Sequence, residues 1–162
     1  MIIGVTGDTH NNLKNISEIC RIFNQNNTDL VFHTGDISLP KSLTAFRELK
    51  CPLKAIIGNN DVDEKSGLEE AAKDFNCNIF EEPLYEKLDN VKIVVLHHPD
   101  LITSEMHKDN DLILHGHTHR YRLEKVQKSI IFNPGECAGF MKGKNKIGVI
   151  DLATLSVKTI SF

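Results

Sequence analysis

The sequence predicts an α/β fold on two sheets, and three observations lead there. Short β-branched runs alternate with amphipathic stretches over the first half. Closely spaced strand-like segments fill the second half, and no Pro/Gly/Ser linker, repeat or low-complexity stretch divides the two. The 162 residues suit one domain, 1–162, with a sizeable core.

IIGVT (2–6) reads as the first strand. Leu13, Ile16, Ile19, Cys20 and Phe23 then recur at steps of three and four, which predicts a helix over 12–25. DLVFHTG (29–35) is a second strand, and 40–49 a second helix with Pro40 in its first turn. LKAIIG (53–58) is a third strand, followed by a helix over 66–75. This β-α-β-α-β-α order implies parallel strands with right-handed crossovers. From about residue 77 come NIFEEP, LYEKLD, VKIVVLHH, DLILHG, YRLEKVQ, SIIFNPG, NKIGVIDL and LSVKTISF. Turn signals at Asp89-Asn90, Gln127-Lys128 and Ala153-Thr154 predict antiparallel or mixed sheet here.

Composition narrows the function classes. A net charge of −3 provides no global basic footprint for nucleic acid or an anionic membrane. The opening MIIGVTGDTH lacks a basic n-region and a cleavage site, so it is expected to be a strand rather than a signal peptide. No apolar run approaches a bilayer span. Cys20, Cys51, Cys77 and Cys137 form no CxxC pair and are expected to be reduced, mostly buried thiols of a cytoplasmic protein.

The polar residues at the strand ends carry the chemistry. GDTH at 7–10, TGD at 34–36, GNND at 58–61, LHH at 96–98 and GHTH at 116–119 each follow an apolar run. Strand ends are where open α/β sheets place their sites. Any one block alone is an ordinary polar turn; five in order are not. Asp8, His10, Asp36, Asn59, His97, His117 and His119 offer carboxylate, imidazole and amide but no thiolate. That set suits Mn, Fe, Zn, Ni or Co better than a structural cysteine-zinc site.

The spacing points to two cations. Asp8 and His10, like His117 and His119, are two apart, so in extended chain their side chains share a face roughly 6.5–7 Å apart. Such pairs can serve two metals about 3.5–4 Å apart, and two cations that close require an anion between them. Asp36 is the natural bridging carboxylate. Two divalent ions bring four positive charges and Asp8 and Asp36 return two, so the site would attract a phosphate ester and acidify bound water.

At this point GDTH, GD, GNND, a strand ending in His, and GHTH resemble, in order and spacing, the calcineurin-like metallophosphoesterases. The length and the NPG at 133–135 resemble that family's small prokaryotic phosphodiesterase branch. The resemblance implies a four-layer αββα sandwich of two mixed sheets. It implies Asp8, His10 and His119 on one metal, Asn59, His97 and His117 on the other, and Asp36 bridging, with Mn the favoured activator. Asp36, Asn59 and His98 are the candidate catalytic residues.

Several positions are read individually. His98 competes with His97; the first His of HHP is favoured as ligand because it resembles the strand-end His of larger relatives. The small branch more often shows His-Gly-His there. Asp61 is expected to orient Asn59. His33 and His115 are expected to be hydrogen-bonded structural histidines, and His107 a solvated loop residue. Glu136 stands where relatives usually carry Ser, and would either repel an anionic substrate or point away. Larger relatives place a proton-donating His after the Asn of GN; here it is Asn60, so the leaving-group proton must come from the metals, water or His98.

The leading reading is a phosphodiesterase that uses a metal-bridging hydroxide on a phosphodiester substrate. A protein-binding scaffold resembling the retromer subunit is the rival, though such relatives tend to lose part of the ligand set. A phosphomonoesterase or nucleotide pyrophosphatase differs only in substrate. A homo-oligomer stays open, and loops 99–110 and 136–145 are where specificity is expected.

Overall fold

Alternate residues of the first strands part into two separate cores. Ile3 and Val5 of β1 (Ile2–Thr6), Leu30 and Phe32 of β2 (Leu30–His33) and Ile56 of β3 (Leu53–Ile56) share one core with a second sheet. Val31, Leu53 and Ala55 point the other way, into a core with helices. The two-residue period of a strand thus decides which layer each side chain joins. The structure is a computed structural model that describes residues 1–162.

The first sheet runs β11-β10-β1-β2-β3-β4, with β4 at Cys77–Phe80, β10 at Lys146–Asp151 and β11 at Ser156–Ser161. β1 to β4 are parallel, while β10 and β11 form an antiparallel hairpin added beside β1. Helices α1 (Leu13–Gln25), α2 (Pro40–Ala45) and α3 (Lys65–Ala72) cover its outer face through Ile16, Phe23, Leu43 and Leu68. Asn12 caps α1 by accepting from the Asn15 amide at 3.1 Å.

The second sheet runs β5-β6-β7-β9-β8, at Leu84–Leu88, Val91–Val95, Leu112–Leu114, Ser129–Asn133 and Arg122–Val126 respectively. Its three central strands are parallel and its edge strands antiparallel. A fourth helix, α4 (Ser104–Asp109), packs Met106 on its outer face with Val94, Leu96, Ile113 and Ile131. The result is an αββα sandwich of two mixed sheets, as the resemblance implied.

The differences from expectation are local. Strands two and three end at His33 and Ile56, short of 35 and 58, because Thr34, Gly35, Ile57 and Gly58 turn into the site loops. The second helix stops at Ala45 and continues as a 3₁₀ turn, Phe46–Glu48. Leu13 lies in the exposed first turn of α1, and Ile22 takes its place among the buried residues. Segment 99–110 holds the 3₁₀ turn Pro99–Leu101 and α4, capped by Thr103 Oγ1 accepting from the Met106 amide at 3.3 Å. One buried side chain in six residues leaves too little periodicity to announce that helix. His107 therefore sits on a helix and pairs with Ser129 Oγ at 2.9 Å, so it is not a solvated loop residue.

His33 and His115 are hydrogen-bonded and buried, as expected. His33 Nδ1 accepts from the Gly35 amide at 3.2 Å, so Nε2 carries the proton toward Thr9 Oγ1 at 3.0 Å. Burial holds His33 down to about 3 and His115 to about 4. Cys20, Cys77 and Cys137 are buried free thiols, and Cys51 is half-buried.

Two measurements test this packing. A Cβ on Gly148 would lie 2.2 Å from the fully buried Phe132 ring. Gly148→Ala should therefore cost about 1–3 kcal/mol of stability in urea unfolding, with Phe132→Leu recovering part of it. A loss below about 0.5 kcal/mol would show that the sheets separate freely there. The second concerns acid. His33 stays neutral in the folded protein down to about 3 but protonates at 6.5 when unfolded. Stability is full above 6.5 and declines as pH falls toward 3. His33→Gln should lose less stability than the parent between pH 6.5 and 4; equal slopes would mean the buried ring accepts a proton.

Candidate metal centre

The parallel strands of both sheets end at one edge of the sandwich. Gly7–His10 follows β1, Thr34–Asp36 follows β2, and Gly58–Asp61 follows β3 from the first sheet. Leu96–His98 follows β6, Gly116–His119 follows β7, and Pro134–Gly135 follows β9 from the second. Backbone bonds stitch the first loops together, with Asp8 N to Gly35 O at 2.9 Å and His10 N to Asp36 O at 3.1 Å. Both oxygens of Asp8 accept from the His117 amide at 3.1 Å, which joins the two sheets.

All seven predicted donors converge here. Ligand atoms of Asp8, His10 and His119 lie within 4.8 Å of one another, as do those of Asp8, Asp36 and His97. His10 Nε2 is 3.1 Å from His119 Nε2. Asn59 Oδ1 is 2.9 Å from both His97 Nε2 and His117 Nδ1. Asp36 stands between the groups, its Oδ2 3.6 Å from His10 Nε2 and its Oδ1 3.4 Å from His97 Nε2.

The protons say what this cluster lacks. His97 Nδ1 donates to Thr34 O at 2.8 Å, so its Nε2 presents a lone pair. That lone pair faces the lone pairs of Asn59 Oδ1 and Asp36 Oδ1. Burial, opposed by Asp36, keeps the His97 ring below the usual histidine range; burial and His10 do the same to His119. Neutral imidazoles are the form that binds metal. Burial, then the charge of Asp36, pushes the Asp8 carboxyl up to about 8. Burial pushes Asp36 upward too, but the Asn60 amide, His97 and His10 outweigh it and hold that carboxyl low. The only ion-pair partners of Asp8 and Asp36 are these histidines, and no lysine or arginine reaches either carboxylate. Carboxylates and neutral imidazoles grouped without a cationic side chain are a donor set that fits a divalent cation.

The loops are strained to make this geometry. Asp8, His10, Asp36, His117 and His119 have φ of +50°, +37°, +61°, +68° and +56°. Each non-glycine residue in that region costs of order 1–3 kcal/mol and persists only where its surroundings force it. Gly58 lets two loops close, since a Cβ there would lie 2.3 Å from Asp36 Oδ1.

Several supporting residues differ from expectation. Asp61 does not touch the Asn59 side chain. Its Oδ2 accepts from the Asp36 and Gly58 amides, each at 2.8 Å, and its Oδ1 from the Ser38 amide at 2.6 Å. It positions the loops that carry Asp36 and Asn59 rather than a ligand atom. Asn60 donates from its amide to Asp36 Oδ1 at 2.9 Å and from Nδ2 to Asp36 Oδ2 at 2.7 Å. Of the two readings of Glu136, the structure shows the one that points away: it accepts from the Phe140 and Met141 amides. Asn133 of the NPG donates to Gly116 O at 3.0 Å and to Thr118 Oγ1 at 3.2 Å, bracing the GHTH loop.

His98 stays with the cluster, its ring 4.6 Å from that of His117 and its ligand atom within 4.8 Å of those of His97 and His117, while its Nδ1 lies 2.5 Å from Glu82 Oε1. The other oxygen of Glu82 accepts from the His97 and His98 amides at 2.6 and 3.0 Å. Sequence reasoning missed Glu82, because it lies 16 residues from its partner on another strand connection and no local pattern marks it.

Comparison with known proteins agrees with this geometry. Residues 1–155 match the family model for the calcineurin-like phosphoesterase superfamily domain. A phosphodiesterase of Methanocaldococcus jannaschii is 35% identical over 155 residues, 93% of each chain. A solved structure of an archaeal phosphodiesterase matches with a TM-score of 0.90 and 33% identity over the whole of both chains. The phosphoesterase YfcE from E. coli shares the fold, with a TM-score of 0.74 at 17% identity over 99% of each chain. With its five loop motifs gathered at one edge of an αββα sandwich, this chain belongs to the calcineurin-like phosphoesterase superfamily.

Proposed function

We propose that the chain is a metal-dependent phosphodiesterase. Asp8, His10 and His119 hold one divalent cation, Asn59, His97 and His117 a second, and Asp36 is shared between them. The observation that carries this reading is the meeting of His97 Nε2, Asn59 Oδ1 and Asp36 as bare lone pairs with no cationic side chain among them. The name of the M. jannaschii relative supports the diester as substrate. Mn²⁺ is the first cation to supply, and Fe, Zn, Ni and Co suit the same donors. Such cations polarise phosphoryl oxygens and lower the pKa of water enough to supply hydroxide near neutrality.

The chain's own residues do the rest. Asn60 fixes both oxygens of Asp36, one toward each donor group, so it is a clamp on the shared carboxylate. Glu82 sets the backbone of His97 and the ring of His98. His98 lines the cleft beside Asn59 and is the side chain assigned to the leaving-group proton.

Metal content per chain, read together with turnover of bis(p-nitrophenyl) phosphate, tests the site. Two Mn²⁺ per chain are expected in the parent protein. Asp36→Ala should lower turnover by more than about 100-fold, further than any single change at His10, His117 or His119. Parental turnover in Asp36→Ala alongside loss in His117→Ala would remove Asp36 from its shared place. Asn60→Ala should weaken metal affinity about 10–100-fold in a titration that reads metal binding directly. Unchanged affinity would show that the clamp is dispensable.

A further inference from the structure

Two clefts flank the metal-ligand cluster, and they differ in charge. The first, of about 300 Å³, opens beside Asn59 and His98 between Ile57, Val62 and Lys65. Its polar groups are partnered within the protein, Lys65 by an ion pair with Glu81 and His98 by a hydrogen bond with Glu82. The second, of about 260 Å³, begins at His119 and is lined by Arg120, Tyr121, Lys144 and Lys146. None of those three cations pairs with a carboxylate. Glu136, the one acid in that wall, spends its charge on the Phe140 and Met141 amides. Lys146 is held over the Tyr121 ring, 4.7 Å from its centroid.

An aromatic side chain stands at the same rim. Phe140 is 70% exposed, and its ring stacks on that of His119 at 5.9 Å and 10°. It also lies 5.5 Å from the His10 ring. Its second face is open to solvent beside two residues of the candidate metal set. Three unpaired cations gathered in a chain of net charge −3 repel one another and favour an anion between them. An exposed ring next to such a cleft offers a stacking surface for a flat, sequence-tolerant partner such as a nucleobase.

We propose that the Arg120/Lys144/Lys146 cleft and Phe140 form a subsite for a substrate arm that carries a second phosphate and a flat ring. The preferred substrate is then a short oligonucleotide-type diester, with its phosphate-bearing arm toward His119 and its neutral arm in the Val62 cleft. This deepens the phosphodiesterase reading and rests on it.

Competition against turnover of bis(p-nitrophenyl) phosphate with Mn²⁺ tests the subsite. Thymidine dinucleotide is compared with the same dinucleotide carrying a 5′-phosphate. The 5′-phosphate should strengthen inhibition about tenfold, the effect of one or two charge-assisted hydrogen bonds, and added salt should erode that gain. In Lys144→Ala/Lys146→Ala the gain should vanish, with the loss exceeding any change in bis(p-nitrophenyl) phosphate turnover at least fivefold. Arg120→Ala/Lys144→Ala, confined to two exposed residues, repeats the test without disturbing the Tyr121 stack. Phe140→Ala should weaken both dinucleotides alike. No gain from the 5′-phosphate, or a gain that survives both double substitutions, overturns the proposal while leaving the phosphodiesterase reading intact. If no diester turns over, polarisation of a 3′-fluorescein pentathymidylate still reads the cleft. Binding that the double substitutions abolish then supports the subsite and discards only the activity.

Discussion

The Asp61 carboxylate ties the site together. It accepts three backbone amides, from Asp36, Ser38 and Gly58, and so locks the loop after β2 to the loop after β3. Asp36 and Asn59 ride on those loops, and Asn60 closes the arrangement by gripping both oxygens of Asp36. Burial raises the Asp61 carboxyl, and the Gly58 and Ser38 amides oppose that rise. A buried carboxylate with three backbone donors is a rigid brace, and the placement of the Asp36 and Asn59 side chains depends on it.

Five non-glycine residues persist at positive φ around the same cluster. Each strained turn is held by a contact across the site: Asp8 by the His117 amide, His10 by Asp36 O, and the GHTH loop by Asn133. Strain and electrostatic repulsion between Asp8 and Asp36 both act against folding. A bound divalent cation would relieve the second, which links metal binding to stability. The cost of the site is met by two well-filled cores on either side of the first sheet.

Charge differs between the two sides of the cluster. On the Asn59 side, polar residues come from neighbouring connections and find partners, Lys65 with Glu81 and His98 with Glu82. On the His119 side, the 136–145 loop folds its only acid inward and leaves Lys144 facing the cleft beside Arg120 and Lys146. A loop that matches no motif therefore adds one cation to that wall and turns its acid away.

The strand alternation, the helix periodicities and the five motif blocks were legible in the sequence because each depends on residues a few positions apart. Local spacing placed β1 to β3, α1 and the motif blocks, while the choice of His97 over His98 within LHH rested on the family resemblance. Tertiary structure decided what rests on distant pairs. Asp61 acts on backbone rather than on Asn59, Asn60 clamps Asp36, and Glu82 braces His98 only because strand ends distant in sequence meet at one edge. α4 escaped notice because a six-residue helix with one buried side chain carries almost no period. A net charge of −3 concealed the Arg120, Lys144 and Lys146 cleft, since a sum over the chain cannot reveal where folding gathers its cations.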